Sequence, residues 1–222
     1  EIYNKLFADP VSPENQITVA VIDTGNDLAH EDMKGQFWTN QAEANGQAGV
    51  DDDNNGFIDD LHGWNFVSKK PDLTDVYFIP HGEHVAGLIA ANINNGIGVA
   101  GIAAPRVKIM VLNVFPYLDP TGGGNSPDPL VLMEQALRYA ADNGAKVINL
   151  SVGRSGTSQT MHDALKYATD KGVVIMAAAG NNNAEIKDGT FPFAPAYYAK
   201  DLPGMMAIAA TDANPNTDFP RC

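Results

Sequence analysis

Cysteine is almost absent from this 222-residue sequence; one occurs, Cys222, at the final position. No disulfide can form within the chain, and a structural zinc site made of several thiolates is excluded. Positive charge is scarce too. Fourteen Lys and Arg face 27 Asp and Glu, a formal charge of −13. Phosphate binding needs a basic face, so the balance argues against nucleic acid as a partner. Clustered carboxylates can instead hold hard cations, or simply keep a protein soluble. Long hydrophobic runs are also missing. None approaches the ~18 residues a membrane helix needs, so no membrane partner is expected. No signal peptide opens the sequence; if one existed, it has been removed.

What remains is the composition of a globular protein, 44% hydrophobic and 18% charged, at a length that accommodates one sizeable core. Five short apolar runs rich in β-branched residues read as strands: ITVAVID (17–23), VKIMVLNVF (107–115), KVINLSV (146–152), VVIMAAAG (173–180) and MMAIAAT (205–211). Most are near-continuous rather than alternating, the pattern of strands buried on both faces. Helical patterns lie between them at 81–93, 128–144 and 158–172. The last two stop at Gly144 and Gly172. Strands alternating with helices predict an α/β fold of three layers, a mostly parallel sheet with helices on both faces.

In such folds the working residues gather at the carboxyl ends of strands. Asp23 ends the first run, Ser151 lies at the end of the third, and Asn181 follows the fourth. Taken singly, DTG at 23–25 is a strand-end Asp before a turn, and Asn181 is a turn residue beside Gly180. The aspartic-protease reading of DTG fails because those enzymes are all-β.

The ordered set VAVIDTG, PHGEHVAGLIAA, INLSVG and AAAGN is far more specific. It resembles the subtilisin-like serine proteases, or subtilases, from about residue 10 to 212. The resemblance implies one peptidase-type domain over 1–222, incomplete at its C-terminus, in a secreted or extracytoplasmic enzyme. It also implies roles. Asp23 orients the imidazole of His81, and His81 is the general base. Asn181 donates to the tetrahedral oxyanion. Ser151, Val152 and Gly153 pair with a polypeptide substrate bound as an extended strand. Gly153 and Ala178 imply a broad preference for apolar substrate side chains, with loops 117–126, 151–156 and 178–181 shaping the pocket.

One residue departs from the family pattern: Glu83 stands where Thr is usual. A carboxylate reaching His81 would favour the imidazolium; an acidic residue in a first helical turn is the alternative. His84 has no third ligand at a matching spacing to make a metal site with His81.

Two stretches are calcium candidates. INNGIGVAG (93–101) resembles the calcium loop after the family's His helix, and Asp32 falls where the family has a carboxylate ligand. The implied ligands are Asp32, the Asn95 side chain, and the carbonyls of Ile93, Ile97 and Val99, an oxygen set suited to Ca²⁺. In DDDNNGFIDD (51–60), Asp51, Asp53, Asn55 and Gly56 have the opening spacing of an EF-hand loop. His62 stands at position twelve in place of Glu, so this is no intact EF-hand, and a solvated acidic loop is the rival reading.

GTSQ at 156–159 looks like the setting of a nucleophilic serine. Ser158 nevertheless precedes Asn181 and opens a helix with Met161, Leu165 and Ala168 on one face, so with Thr157 it reads as an N-cap. The family nucleophile opens a later helix in a GTSMA-type motif, and nothing after residue 181 matches it. The expectation is a chain holding the Asp, the His and the oxyanion Asn but no nucleophile, inactive by itself. Its further partner is a propeptide or the remainder of its catalytic domain. A pseudoprotease that binds peptides and a calcium-stabilised module are the alternatives.

Overall fold

A computed structural model describes residues 12, 15–74, 80–115, 128–182 and 184–211. The loop 117–126 and Cys222 lie outside the described residues. Two compact units divide the chain, residues 1–126 and 127–222.

In the first unit, β1 (Ile17–Asp23) is followed by a five-residue helix α1 (Gln41–Asn45), β2 (Gly63–Asn65), α2 (His81–Ala90) and β3 (Val107–Asn113). β1 and β3 pair in parallel along their whole length, from Ile17 opposite Val107 to Asp23 opposite Asn113. Their sequences are continuously apolar, and both are buried on both faces from Val19 and Ile109 onward. β2 adds a short third parallel strand beside β3. It can do so because Gly63 has φ +129°, and a Cβ there would lie 1.9 Å from the Val111 carbonyl oxygen. The following Trp64 and Phe66 receive the edge of Phe57, which ties the acidic loop to the core.

The second unit contains α3 (Pro129–Asp142), β4 (Val147–Leu150), β5 (Arg154–Ser155), α4 (Gln159–Asp170), β6 (Val174–Ala178), β7 (Phe193–Ala194) and β8 (Met205–Ile208). β4, β6 and β8 are parallel neighbours, while β5 and β7 form a small antiparallel pair. Both long helices are capped as their sequences require. Asp128 Oδ1 accepts the Leu130 N–H at 2.9 Å with Pro129 next to it, and Ser158 Oγ accepts the Met161 N–H at 3.3 Å. Gly144 and Gly172, at φ +81° and +83°, follow their ends. Met161, Leu165 and Ala168 are wholly buried on the expected face of α4.

The parallel α/β architecture is the one the apolar pattern predicted, with three differences. The first helix stops at Ala90, short of 93, because the chain turns at Ala91 into the 93–99 loop. β2, β5 and β7 are two or three residues long, too short for a pattern to mark. Burial in β4 and β6 alternates, Ile148, Leu150, Ile175 and Ala177 being covered while their neighbours are half-exposed. Apolar sequence did not distinguish those strands from the fully buried β1 and β3. No helix among the described residues is long and apolar enough to cross a membrane.

Candidate active site

Strand β1 delivers Asp23 to its carboxyl end, where the carboxylate is 1% exposed. Its Oδ1 accepts the Thr24 N–H at 2.8 Å and lies 2.7 Å from Nδ1 of His81, 58 residues later. His81 opens α2, a helix without a side-chain cap of its own. The Thr24 hydroxyl substitutes by accepting the Gly82 N–H at 3.0 Å, satisfying one of the first-turn donors. A Cβ on Gly82 would lie 2.4 Å from the Gly25 carbonyl oxygen, so only glycine lets helix and strand end approach this closely.

The pair has a definite polarity. With Nδ1–H directed at a buried carboxylate, Nε2 is the nitrogen left to take a proton, and the His81 side chain is 44% exposed. Glu83 has a partner of its own: its Oε2 accepts the Asp27 N–H at 2.6 Å, in the first turn of α2. The carboxylate thus pins the loop after DTG to the helix.

The other expected residues belong to the second unit. β4 ends at Leu150 and β6 at Ala178, with Leu150 opposite Ala177, so the segments 151–153 and 179–181 leave neighbouring parallel strands. Asn149 Nδ2 donates to Ser151 Oγ at 2.9 Å. Gly180 turns the chain at φ +93°, and Asn181 is exposed after it. Ser158 is held differently. The Tyr198 hydroxyl accepts the Ser158 N–H at 2.6 Å and donates to its carbonyl at 2.8 Å. Its Oγ lies 2.8 Å from the Thr160 hydroxyl and 3.3 Å from Glu134 Oε1. This is a helix cap locked at both backbone groups.

Both acidic stretches are ordered. Asp32, 3% exposed, accepts Asn95 Nδ2 at 2.7 Å on one oxygen and the Val99 N–H at 2.8 Å on the other. The Ile97 N–H closes a turn on Asn95 Oδ1 at 3.2 Å. Asn94, Gly96 and Gly98 all have positive φ, and a Cβ on Gly98 would lie 1.9 Å from Asp32 Oδ2. The loop is therefore wrapped tightly about one buried carboxylate. A carboxylate and an amide side chain brought together across 63 residues are oxygen-bearing groups of the kind a hard cation accepts.

In the second stretch, Asp53 and Asn55 lie together with residues the sequence did not single out. Glu43, Asp53 and Asp60 offer carboxylate oxygens within 4.8 Å of one another. Asn40 Nδ2 bridges Asp53 and Asp60 at 2.9 and 2.7 Å, and Asn55 Nδ2 bridges the same two at 3.1 and 2.9 Å. Asp51 stands apart from that cluster and accepts the Asn55 and Gly56 N–H groups. Asp60 is off the 1-3-5 spacing and Glu43 comes from α1, so the EF-hand pattern carried no signal for either. The donor chemistry, three carboxylates and two amides, again fits Ca²⁺.

Residues 14–220 match the model of the subtilase family. The chain is 36% identical to a thermophilic serine proteinase of Bacillus sp. (strain AK1), over 87% of this chain and 38% of that protein. It is 34% identical to thermitase of Thermoactinomyces vulgaris, over 89% and 56% respectively. It therefore spans about half or less of these relatives. Among solved structures it resembles fervidolysin from Fervidobacterium pennivorans, a keratinolytic enzyme related to subtilisin, with TM-score 0.56, 34% identity, and 75% and 21% coverage. An epidermin leader peptide processing protease from Staphylococcus aureus shares the fold at TM-score 0.62 and 22% identity, over 95% and 51%.

Proposed function

The chain belongs to the subtilase family of serine peptidases, and from that premise we propose that it carries the base and oxyanion parts of a peptide-bond hydrolase. The observation that carries the reading is the 2.7 Å contact between His81 Nδ1 and the buried Asp23 carboxylate. In that arrangement Asp23 fixes the imidazole tautomer and stabilises the imidazolium. His81 Nε2 takes the proton of the attacking hydroxyl and later returns it to the leaving amine. The Asn181 side-chain amide donates to the oxyanion, and Ser151, Val152 and Gly153 pair with an extended polypeptide. The match across residues 14–220 supports treating both units as parts of one peptidase-type domain, and the family resemblance makes the protein a secreted or extracytoplasmic one.

The nucleophile is not Ser158. That serine caps α4 and no serine follows it in these 222 residues; among the described residues no hydroxyl is hydrogen-bonded to His81. By themselves the 222 residues are inactive. The same fact favours a second reading, a peptide-binding pseudoprotease. Calcium stabilises the fold, held by Asp32, Asn95 and the carbonyls of Ile93, Ile97 and Val99, and by Asp53 and Asn55 together with Glu43 and Asp60, with Asp51 closing the turn.

A fluorophosphonate probe tests the assignment, because it modifies only a serine activated by a neighbouring base. The 222-residue chain stays unlabelled, and a polypeptide extended through a downstream GTS motif labels at the new serine. Labelling of Ser158 that disappears in His81→Ala would reverse the assignment. An extended polypeptide that binds peptides but never labels would establish the pseudoprotease.

A further inference from the structure

Gly153 and Gly180 follow two adjacent parallel strands, and neither has a side chain to fill the space between them. By themselves the two glycines leave that space open to a side chain. The structure puts something in it. A Cβ built on Gly153 would lie 2.5 Å from Cε1 and 2.9 Å from Cζ of Phe193; one on Gly180 would lie 2.9 and 3.0 Å from the same two atoms. One edge of one ring touches both glycines. Phe193 thus bridges the gap between the substrate-pairing segment and the oxyanion turn.

The ring is also held in place. Phe193 lies in β7 opposite Ser155 of β5, and the Gly156 N–H donates to the Pro192 carbonyl at 2.8 Å beside that pair. Its ring stacks on Phe191 with centroids 5.6 Å apart and planes 15° from parallel, and the residue is 8% exposed. A side chain packed on a ring, a strand partner and two glycine backbones does not swing aside without losing those contacts.

We propose that Phe193 is the specificity-determining residue of this protein, closing the pocket so that only a small side chain fits next to the scissile carbonyl. The inference rests on the proposed peptide-binding role of Ser151–Gly153 and Asn181. If the substrate backbone pairs with 151–153 and its carbonyl oxygen reaches Asn181, the side chain beside that carbonyl must enter between Gly153 and Gly180. The Phe193 ring edge occupies that space. Substrates with Ala, Ser or Gly at this position are accepted, and those with Leu, Phe or Tyr are rejected. Discrimination of 10- to 100-fold is the ordinary scale for a hydrophobic pocket that excludes a few carbons.

Binding decides this without chemistry at a serine. N-blocked tetrapeptide acids that differ only in a C-terminal Ala, Leu or Phe are titrated into the 222-residue chain by calorimetry. Wild type binds the Ala peptide at least about tenfold more tightly than the Phe peptide. Phe193→Ala and the milder Phe193→Leu shift the order toward Leu and Phe. Should Phe193→Ala fail to fold, Phe193→Leu and the wild-type series still decide. Equal or tighter wild-type binding of the Phe peptide overturns the inference and leaves the peptide-binding reading intact. Absence of binding by any peptide overturns both.

Discussion

The two units handle their carboxylates in opposite ways. Residues 1–126 contain 17 Asp and Glu against six Lys and Arg; residues 127–222 contain ten against eight. In the first unit, carboxylates are met by neutral donors. Glu43 accepts the Asp52 and Asp59 N–H groups, Asp59 accepts that of Gly49, and Asp32 accepts Asn95 and Val99. In the second, four of them meet cations, Asp142 with Lys171, Asp170 with Lys166, Asp201 with Lys200 and Asp128 with Arg154, while Glu134 and Asp163 accept from neutral side chains. Neutral donors satisfy hydrogen bonding but leave the charge in place. The first unit's clustered carboxylates therefore keep a charge that a divalent cation would offset, and several in the second unit are offset by its own lysines and arginine.

The largest expected effect follows from that contrast. Calcium raises the melting temperature and a chelator lowers it, with roughly 3 kcal/mol per site when the ion is present at about 100 times its Kd. Hydrogen exchange locates the change: protection falls around 30–60 and 93–103 on chelation and stays constant over 128–211. Asp32→Asn and Asp60→Asn each remove one calcium-dependent component. A melting curve indifferent to calcium and chelator would eliminate both sites.

Next in size is Asp60→Ala, measured by urea unfolding in calcium. Asp60 is fully buried and receives amides from Asn40 and Asn55, each of which keeps its second bond to Asp53, so truncation costs two hydrogen bonds to a charged group and a buried cavity, about 2–3 kcal/mol. The matching change in the second unit, Asp170→Ala, removes an exposed ion pair and costs at most about 0.5 kcal/mol. Equal losses would erase the contrast. Smaller again is Tyr198→Phe, which removes both bonds to the Ser158 backbone and destabilises by ~1–2 kcal/mol. That loss is the same with and without calcium.

The pair at the heart of the site was legible because each member sits at a locally marked boundary, Asp23 where a β-branched run ends and His81 where a helical pattern begins. Asp32 and Asn95 were reachable only through family resemblance, since nothing local joins residues 63 positions apart. Glu43 and Asn40 were invisible, and Asp60 lay in the acidic stretch without being marked as a ligand. Their meeting depends on a five-residue helix and on loop geometry, neither of which leaves a periodic trace. Phe193 was missed for a related reason: its position is set by pairing between two strands of two residues each. The alternating burial of β4 and β6 was also hidden, because a run such as VIMAA has no polar residue to mark an uncovered face.

The smallest effect is a pH dependence confined to the second unit. Partial burial pushes the Asp142 carboxyl upward. Hydrogen bonds from Lys171 and Tyr167 outweigh it and hold the group below the ordinary carboxylate value. A depressed folded-state pKa stabilises the fold above the unfolded value, near 4, and that contribution disappears as pH falls through the folded-state value. Asp142 is about half-exposed, so water screens the interaction and the contribution stays near 0.5 kcal/mol. Urea unfolding of wild type and Asp142→Asn between pH 7 and pH 3 reads it directly. The two differ by that amount at pH 7 and converge toward pH 3, with calcium making no difference to the gap. A gap that widens as the pH falls would mean that Asp142 is destabilised, not stabilised, by its surroundings, and the second unit would then share the uncompensated acidity of the first.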